Sequence, residues 1–191
     1  MKKHFKVATS LLLVFSMVMS LSSCVSTDVK TAGKEIMDNL FDGKTEKVLK
    51  AMDKKDDDFE AQTYAFEMFF EDYDEDLLDF LYDDDVVFSK EKVSVKDDEG
   101  TISYVLEIAG EEYDFELNLV NSGKTWRIEN NADFIVSVFD LIYTVGEEEG
   151  SKDFDAMANW YKSVTGASKV SKLGSSTYDY LIDEYEGFTD V

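Results

Sequence analysis

Residues 101–128, TISYVLEIAGEEYDFELNLVNSGKTWRI, decide the fold. Ile102, Tyr104, Leu106 and Ile108 alternate with Thr101, Ser103, Val105 and Glu107. After a tight turn at Gly110-Glu111, Tyr113, Phe115, Leu117 and Leu119 alternate with Asp114, Glu116 and Asn118. A period of two over eight residues puts every apolar side chain on one side of a strand. Asn121-Ser122-Gly123-Lys124 reads as a second hairpin loop, leading to Trp126 and Ile128. Upstream, Val86 to Phe88 and Val93 to Val95 are two short β-type runs. The stretch therefore predicts an antiparallel meander with one apolar and one acidic face, which needs a cover on one side only.

Helical periods on both flanks can supply that cover. Val29, Ala32, Ile36, Met37, Leu40 and Phe41 recur at 3.6-residue spacing, with Gly43 beyond them as a natural C-terminal cap. Thr45 can cap a short second helix carrying Val48, Leu49 and Met52, and the charged run 53–58 reads as a solvated loop. Phe59, Phe66, Phe69, Phe70 and Tyr73 form a wide aromatic stripe, extended after an acidic break by Leu77, Leu78, Leu81 and Tyr82; it reads as core. Past the sheet, Ile135, Val138, Phe139 and Ile142 predict a buried helix ending at Gly146. Ser151 opens another, with Phe154, Met157, Ala158, Tyr161 and Val164, closed by Gly166. Ser176 with Asp179 suggests a capping box for a last helix. No internal repeat is visible. The fold class is α+β, with helices on an antiparallel sheet and extra C-terminal helices.

Composition narrows the chemistry. The 191 residues carry 19 Lys and Arg against 42 Asp and Glu, for a net charge of −23, with one Cys, one His and no Pro. Such a chain repels phosphate backbones, so nucleic acid is not an expected partner. The 14 Phe, 10 Tyr and 2 Trp supply more apolar bulk than an acidic disordered chain carries. At the N-terminus, Lys2, Lys3 and Lys6 precede an uncharged apolar run from Val7 to Leu21, a secretory signal too short for a spanning helix. Removing a signal of residues 1–23 takes three lysines but no acid, leaving 168 residues at net charge −26, and His4 goes with it, so the remaining chain lacks imidazole, the commonest general base. No cofactor is implied.

Two resemblances add to this reading. Leu21-Ser22-Ser23-Cys24 resembles the bacterial lipobox, which implies diacylglycerol on the Cys24 thiol and a lipid-anchored protein on the extracytoplasmic face of the cell membrane. Dual acylation suffices for stable anchoring, and it would leave the mature chain no free thiol to serve as a cysteine nucleophile. The second concerns the fold. Two helices joined after Phe41-Asp42-Gly43, then hairpin-linked strands ending in Gly123-Lys124-Thr125-Trp126-Arg127-Ile128, resemble the nuclear-transport-factor-two-like (cystatin-like cone) lipoproteins of bacteria over roughly residues 29–130. That likeness implies a curved sheet and a cone-shaped pocket between sheet and helices. Catalytic members use an Asp/His pair, and here the His is missing. The expected organisation is a signal at 1–23, a tether at 24–30, a cone-like domain at 31–130 and a C-terminal helical extension at 131–191.

Site candidates are sparse. Asp72, Asp74 and Asp76, followed by Asp79 and Asp83, invite comparison with an EF-hand loop. However, Leu77 occupies the Gly position and Asp83 replaces the bidentate Glu, so a solvated acidic helix end is the better reading. Arg127, the single arginine, should lie on the polar sheet face, where an ion pair with a neighbouring-strand acid such as Glu116 or Glu107 is the favoured reading and a carboxylate- or phosphate-binding fork the alternative. Trp126 reads as core and Trp160 as an exposed aromatic contact. The favoured function is a non-catalytic, lipid-anchored binding or interaction module for an envelope protein or small ligand. The alternatives are a carboxylate-dependent hydrolase of envelope polymers and a weak extracellular divalent-cation binder.

Overall fold

Four strands follow one another as a meander, with two residues between each pair. In the computed structural model, which describes residues 28–56, 58–72, 86–108, 110–149 and 152–189, β1 (Val87–Lys96), β2 (Glu99–Ile108), β3 (Glu111–Ser122) and β4 (Thr125–Ile128) pair antiparallel in sequence order. At the last turn both central residues have positive φ, Gly123 at 65° and Lys124 at 86°, the hairpin geometry whose twist matches the flanking strands. Asn121 Oδ1 accepts the Lys124 N–H at 3.1 Å. The register pairs Ile102 with Leu117 and Tyr104 with Phe115, so the alternation read from the sequence becomes a single apolar face.

The two upstream runs are one strand, not two. β1 continues through Ser89 to Lys92, with a register shift between Phe88 and Lys90. It is an edge strand with little burial, so its residues need not be apolar, and edge lysines and a bulge discourage pairing with other chains. Its outward residues also correct the picture of a uniformly acidic outer face. Lys90, Lys92 and Lys96 line one side of that face and Glu112, Asp114 and Glu116 the other, with Lys90 Nζ 3.2 Å from Glu112.

Six helices accompany the sheet among the described residues. The first, α1, spans 28–41, so it already includes the last three residues of the expected tether, and Val29 is fully buried. It ends as the sequence suggests. The Lys44 N–H reaches Asn39 O at 2.8 Å and the Gly43 N–H reaches Leu40 O at 3.2 Å, with Gly43 at φ 67°. Helix α1 lies so close to the sheet that a Cβ on Gly33 would stand 2.2 Å from Ile102 Cδ1. The short α2 (Thr45–Ala51) starts from Lys44 rather than from a Thr45 cap. Helix α3 (Phe59–Asp72) buries Phe66 and Phe69 completely.

Beyond the sheet come α4 (Asn131–Glu149), α5 (Lys152–Thr165), a 3₁₀ turn (Val170–Lys172) and α6 (Leu173–Thr189). Asn130 caps α4, its Oδ1 accepting the Asp133 N–H at 3.2 Å. Helix α4 runs through Gly146 instead of stopping there. That glycine marks a close approach: a Cβ would fall 2.3 Å from the Phe154 ring. Helix α6 starts three residues before the expected capping box, and its first turn is capped from another helix, by Asp140 Oδ1 on Gly174 N–H at 3.1 Å.

The core is continuous. Phe69 stacks on Phe139 with ring centroids 3.6 Å apart, and Phe134 meets both Phe66 of α3 and Phe115 of β3. Residues of 31–130 and of 131–189 thus share one hydrophobic cluster.

Candidate functional site

Among the described residues, the space between sheet and helices where the resemblance implies a pocket is occupied by apolar core side chains. Ile102, Leu106 and Leu119 are fully buried and Leu117 and Phe115 nearly so, under α1, α3 and α4. The candidate site lies at the rim instead, where α1, α2 and the β3–β4 hairpin leave a cleft of about 780 Å³. That is within the range of small-ligand sites, roughly 300–1,000 Å³.

Three elements build its walls. Helix α1 contributes Asp28, Glu35 and the nearly buried Asn39, whose Nδ2 donates to Glu35 O at 2.7 Å. Helix α2 contributes Lys47 and Lys50, three residues apart and so on one face. The hairpin contributes Lys124, Trp126 and Arg127. Trp126 packs in the core as expected, 8% exposed, yet one part of it lines the cleft.

Arg127 has the expected strand parity but a different partner. Its Nη1 donates to Lys50 O at 2.8 Å and Met52 O at 3.4 Å, not to Glu116 or Glu107. The last carbonyls of α2 have no intrahelical partner, and a guanidinium at a helix C-terminus answers both their hydrogen-bonding need and their dipole. The chain leaving α2 also runs beside β4, with a parallel bridge from Met52 to Ile128, which brings those carbonyls within reach. The arginine therefore ties α2 to the hairpin across the floor of the cleft.

Beneath that floor, Asn131 is fully buried and holds three groups. Its Oδ1 accepts the Asp53 N–H at 3.0 Å, and its Nδ2 donates to Asp53 O at 2.9 Å and to Gln62 Oε1 at 3.0 Å. One amide thus joins the loop after α2, helix α3 and the start of α4.

The charge of the cleft runs against that of the molecule. Four cations and two acids line it, in a chain of net charge −23. Among the described residues no carboxylate lies within ion-pair distance of Lys47, Lys124 or Arg127, and Lys50 has only Glu46, at 3.7 Å and exposed. Asp28 and Glu35 likewise form no ion pair there. By contrast, Lys30 on the adjacent face of α1 is bound to Glu91 at 2.5 Å.

Tyr104 is buried under α1, and among the described residues its hydroxyl has no hydrogen-bond partner. Burial raises its pKa well above the usual phenol value, and the negative charges of Glu91 and Asp38 add to the effect.

A second recess, of about 100 Å³, brings Glu116 and Asp133 together with Asn118 and Asn130. Its volume is about that of three liquid waters. Of the acidic candidates, Asp72 closes α3, while Asp74 and Asp76 lie outside the described residues, as do Leu21, Ser22, Ser23 and Cys24. Among the described residues no group of three or more metal-ligating side chains is assembled. Trp160 is exposed, at 47%, with its ring against Tyr161 and Tyr180.

Hydrophobic patterning did not mark the cleft. Its residues come from 28–39, 47–51 and 121–127, and most are polar, so hydropathy does not flag them. The usable signal was Arg127, the only arginine, beside Lys124 and Trp126 in an otherwise acidic chain.

No protein-family model matches the chain, and no curated protein matches it. Among solved structures, it is similar to a Campylobacter jejuni protein provisionally named an NTF2-like transpeptidase. The two are 10% identical with a TM-score of 0.40, over 53% of this chain and 96% of that one. A likeness of that degree carries no argument about function. Among the described residues no helix is long and apolar enough to cross a membrane.

Proposed function

We propose that the protein is a non-catalytic binding module, lipid-anchored through Cys24 at the extracytoplasmic face of the membrane, with its ligand seated between α1, α2 and the β3–β4 hairpin. The observation that carries the binding part is the cleft itself: about 780 Å³, beside a tryptophan, with polar groups converging from three elements. Anchoring rests on the signal and on Leu21-Ser22-Ser23-Cys24.

The carboxylate-hydrolase alternative receives less support. The two acids of the cleft, Asp28 and Glu35, lie two helical turns apart on α1, and four cations outnumber them there. The recess that does pair two acids, Glu116 and Asp133, is too small for a sugar ring.

Two measurements test the proposal. Cys24→Ala should shift the protein from the membrane to the soluble fraction and abolish incorporation of labelled fatty acid; unchanged partitioning refutes the anchor. For the cleft, Trp160→Phe leaves Trp126 as the sole tryptophan, so its fluorescence reports on the site. A panel of sugars, amino acids, short peptides and oxyanions should give at least one saturable response, lost in Ala51→Phe, which fills the cleft from the end of α2. A panel with no saturable response refutes the binding role.

A further inference from the structure

Building on that seat for a ligand, we infer that the cleft takes a multivalent oxyanion, a molecule or polymer segment bearing two or more phosphate or carboxylate groups. The argument starts from the field. A body of net charge −23 repels anions at long range, so four cations facing one cleft are a local reversal of the general pattern. If Lys47, Lys124 and Arg127 served to neutralise neighbouring acids, carboxylates would sit against them. None does among the described residues, although Asp28 and Glu35 line the same cleft. Lys30 and Lys90, outside the cleft, are by contrast paired, with Glu91 and Glu112.

Geometry points to more than one anionic group. Lys47 and Lys50 are one helical turn apart, about 4.5 Å along α2. Lys124 stands at the tip of the β3–β4 turn, and Arg127 lies three residues further, on β4. A single small anion cannot reach cations spread over a helix face, a turn and a strand, whereas a chain of oxyanions can follow them. Arg127 is placed for this. Nη1 is held by the two carbonyls of α2, which fixes the plane of the guanidinium, and its other N–H groups have no bond among the described residues. A fixed planar fork suits phosphate and carboxylate oxygens. Trp126 closes one wall and excludes water from part of the contact.

The test titrates the Trp160→Phe protein with tripolyphosphate and, separately, with citrate, following Trp126 fluorescence at low salt. Saturable binding of either is the expected result, and the tighter of the two names the oxyanion class. Raising the ionic strength from about 10 to about 150 mM shortens the Debye length from about 30 to about 8 Å and should weaken binding. Replacing Lys47, Lys50 and Lys124 together by Gln should weaken it by about tenfold or more, from the sum of three exposed ion pairs. The matched triple Lys90→Gln, Lys92→Gln and Lys96→Gln, on the outer sheet face, should leave it within about twofold.

No saturable response to either probe overturns the inference, as does equal loss in the two triples, which would show attraction to charge in general. If neutral members of the wider panel bind and the oxyanions do not, this inference fails while the binding module stands. If nothing binds, both fail.

Discussion

Replacing Asn131 by Ala should be among the costliest single polar changes in the molecule. The side chain is completely buried and makes three hydrogen bonds, two to Asp53 and one to Gln62. At a net value of about 1 kcal/mol each, their loss amounts to about 3 kcal/mol, and the stranded Asp53 N–H and Gln62 Oε1 keep that figure from shrinking. Alanine is the better helix former, which at the first residue of α4 returns about 0.5 kcal/mol at most. The expected destabilisation is therefore about 2.5 kcal/mol. For a chain of this length that corresponds to a fall in Tm of roughly 5–10 °C. Urea unfolding should show a lower midpoint with an unchanged slope, because the surface exposed on unfolding is the same. Asn130→Ala is the internal comparison. It removes only the exposed cap of α4 and should cost about 1 kcal/mol. If Asn131→Ala costs no more than Asn130→Ala, the amide is not the tie described here.

Two further outcomes follow from single buried groups. Tyr104→Phe removes a hydroxyl with no partner among the described residues, so it should leave stability unchanged or raise it by about 1 kcal/mol, and a loss of that size would show that the hydroxyl is bonded. Because the phenol titrates higher in the folded chain than in the unfolded one, wild type should lose further ground to the variant above pH 10. Asp140 has its pKa raised by burial, against the lowering effects of the Gly174 N–H and Lys172. The folded state thus holds that proton more tightly than the unfolded one, and this contribution to stability is lost as pH rises through the folded pKa. Asp140→Asn keeps the acceptor for Gly174 and should gain on wild type between pH 4 and pH 7 in urea midpoints; a gain that shrinks over that range contradicts the assignment.

The sheet was the most legible part of the sequence, because a half-buried antiparallel strand writes its burial into every second residue. β2 and β3 fall where the alternation put them, and the structure adds the register, Ile102 opposite Leu117. β1 was read as two fragments because an edge strand buries too little to demand a continuous pattern. Helix ends were misplaced where a tertiary contact replaced the local signal. Gly146 looked like a cap and instead makes room for Phe154, and the first turn of α6 is satisfied by Asp140, more than thirty residues upstream. Arg127 shows the same limit. Strand parity placed its Cα, but its partners, the carbonyls ending α2, could be known only from where the chain after α2 passes.

The early start of α1 has a consequence for geometry at the membrane. With Cys24 acylated as proposed, only Val25, Ser26 and Thr27 separate the lipidated cysteine from Asp28, and the four Cα–Cα steps between them span at most about 14 Å when fully extended. Asp28 is at once the start of the helix and a wall of the cleft. A leash so short restricts how far the body can rise from the bilayer and which way it can turn. The site then samples only the thin layer of solvent next to the headgroups, about two Debye lengths deep at physiological salt.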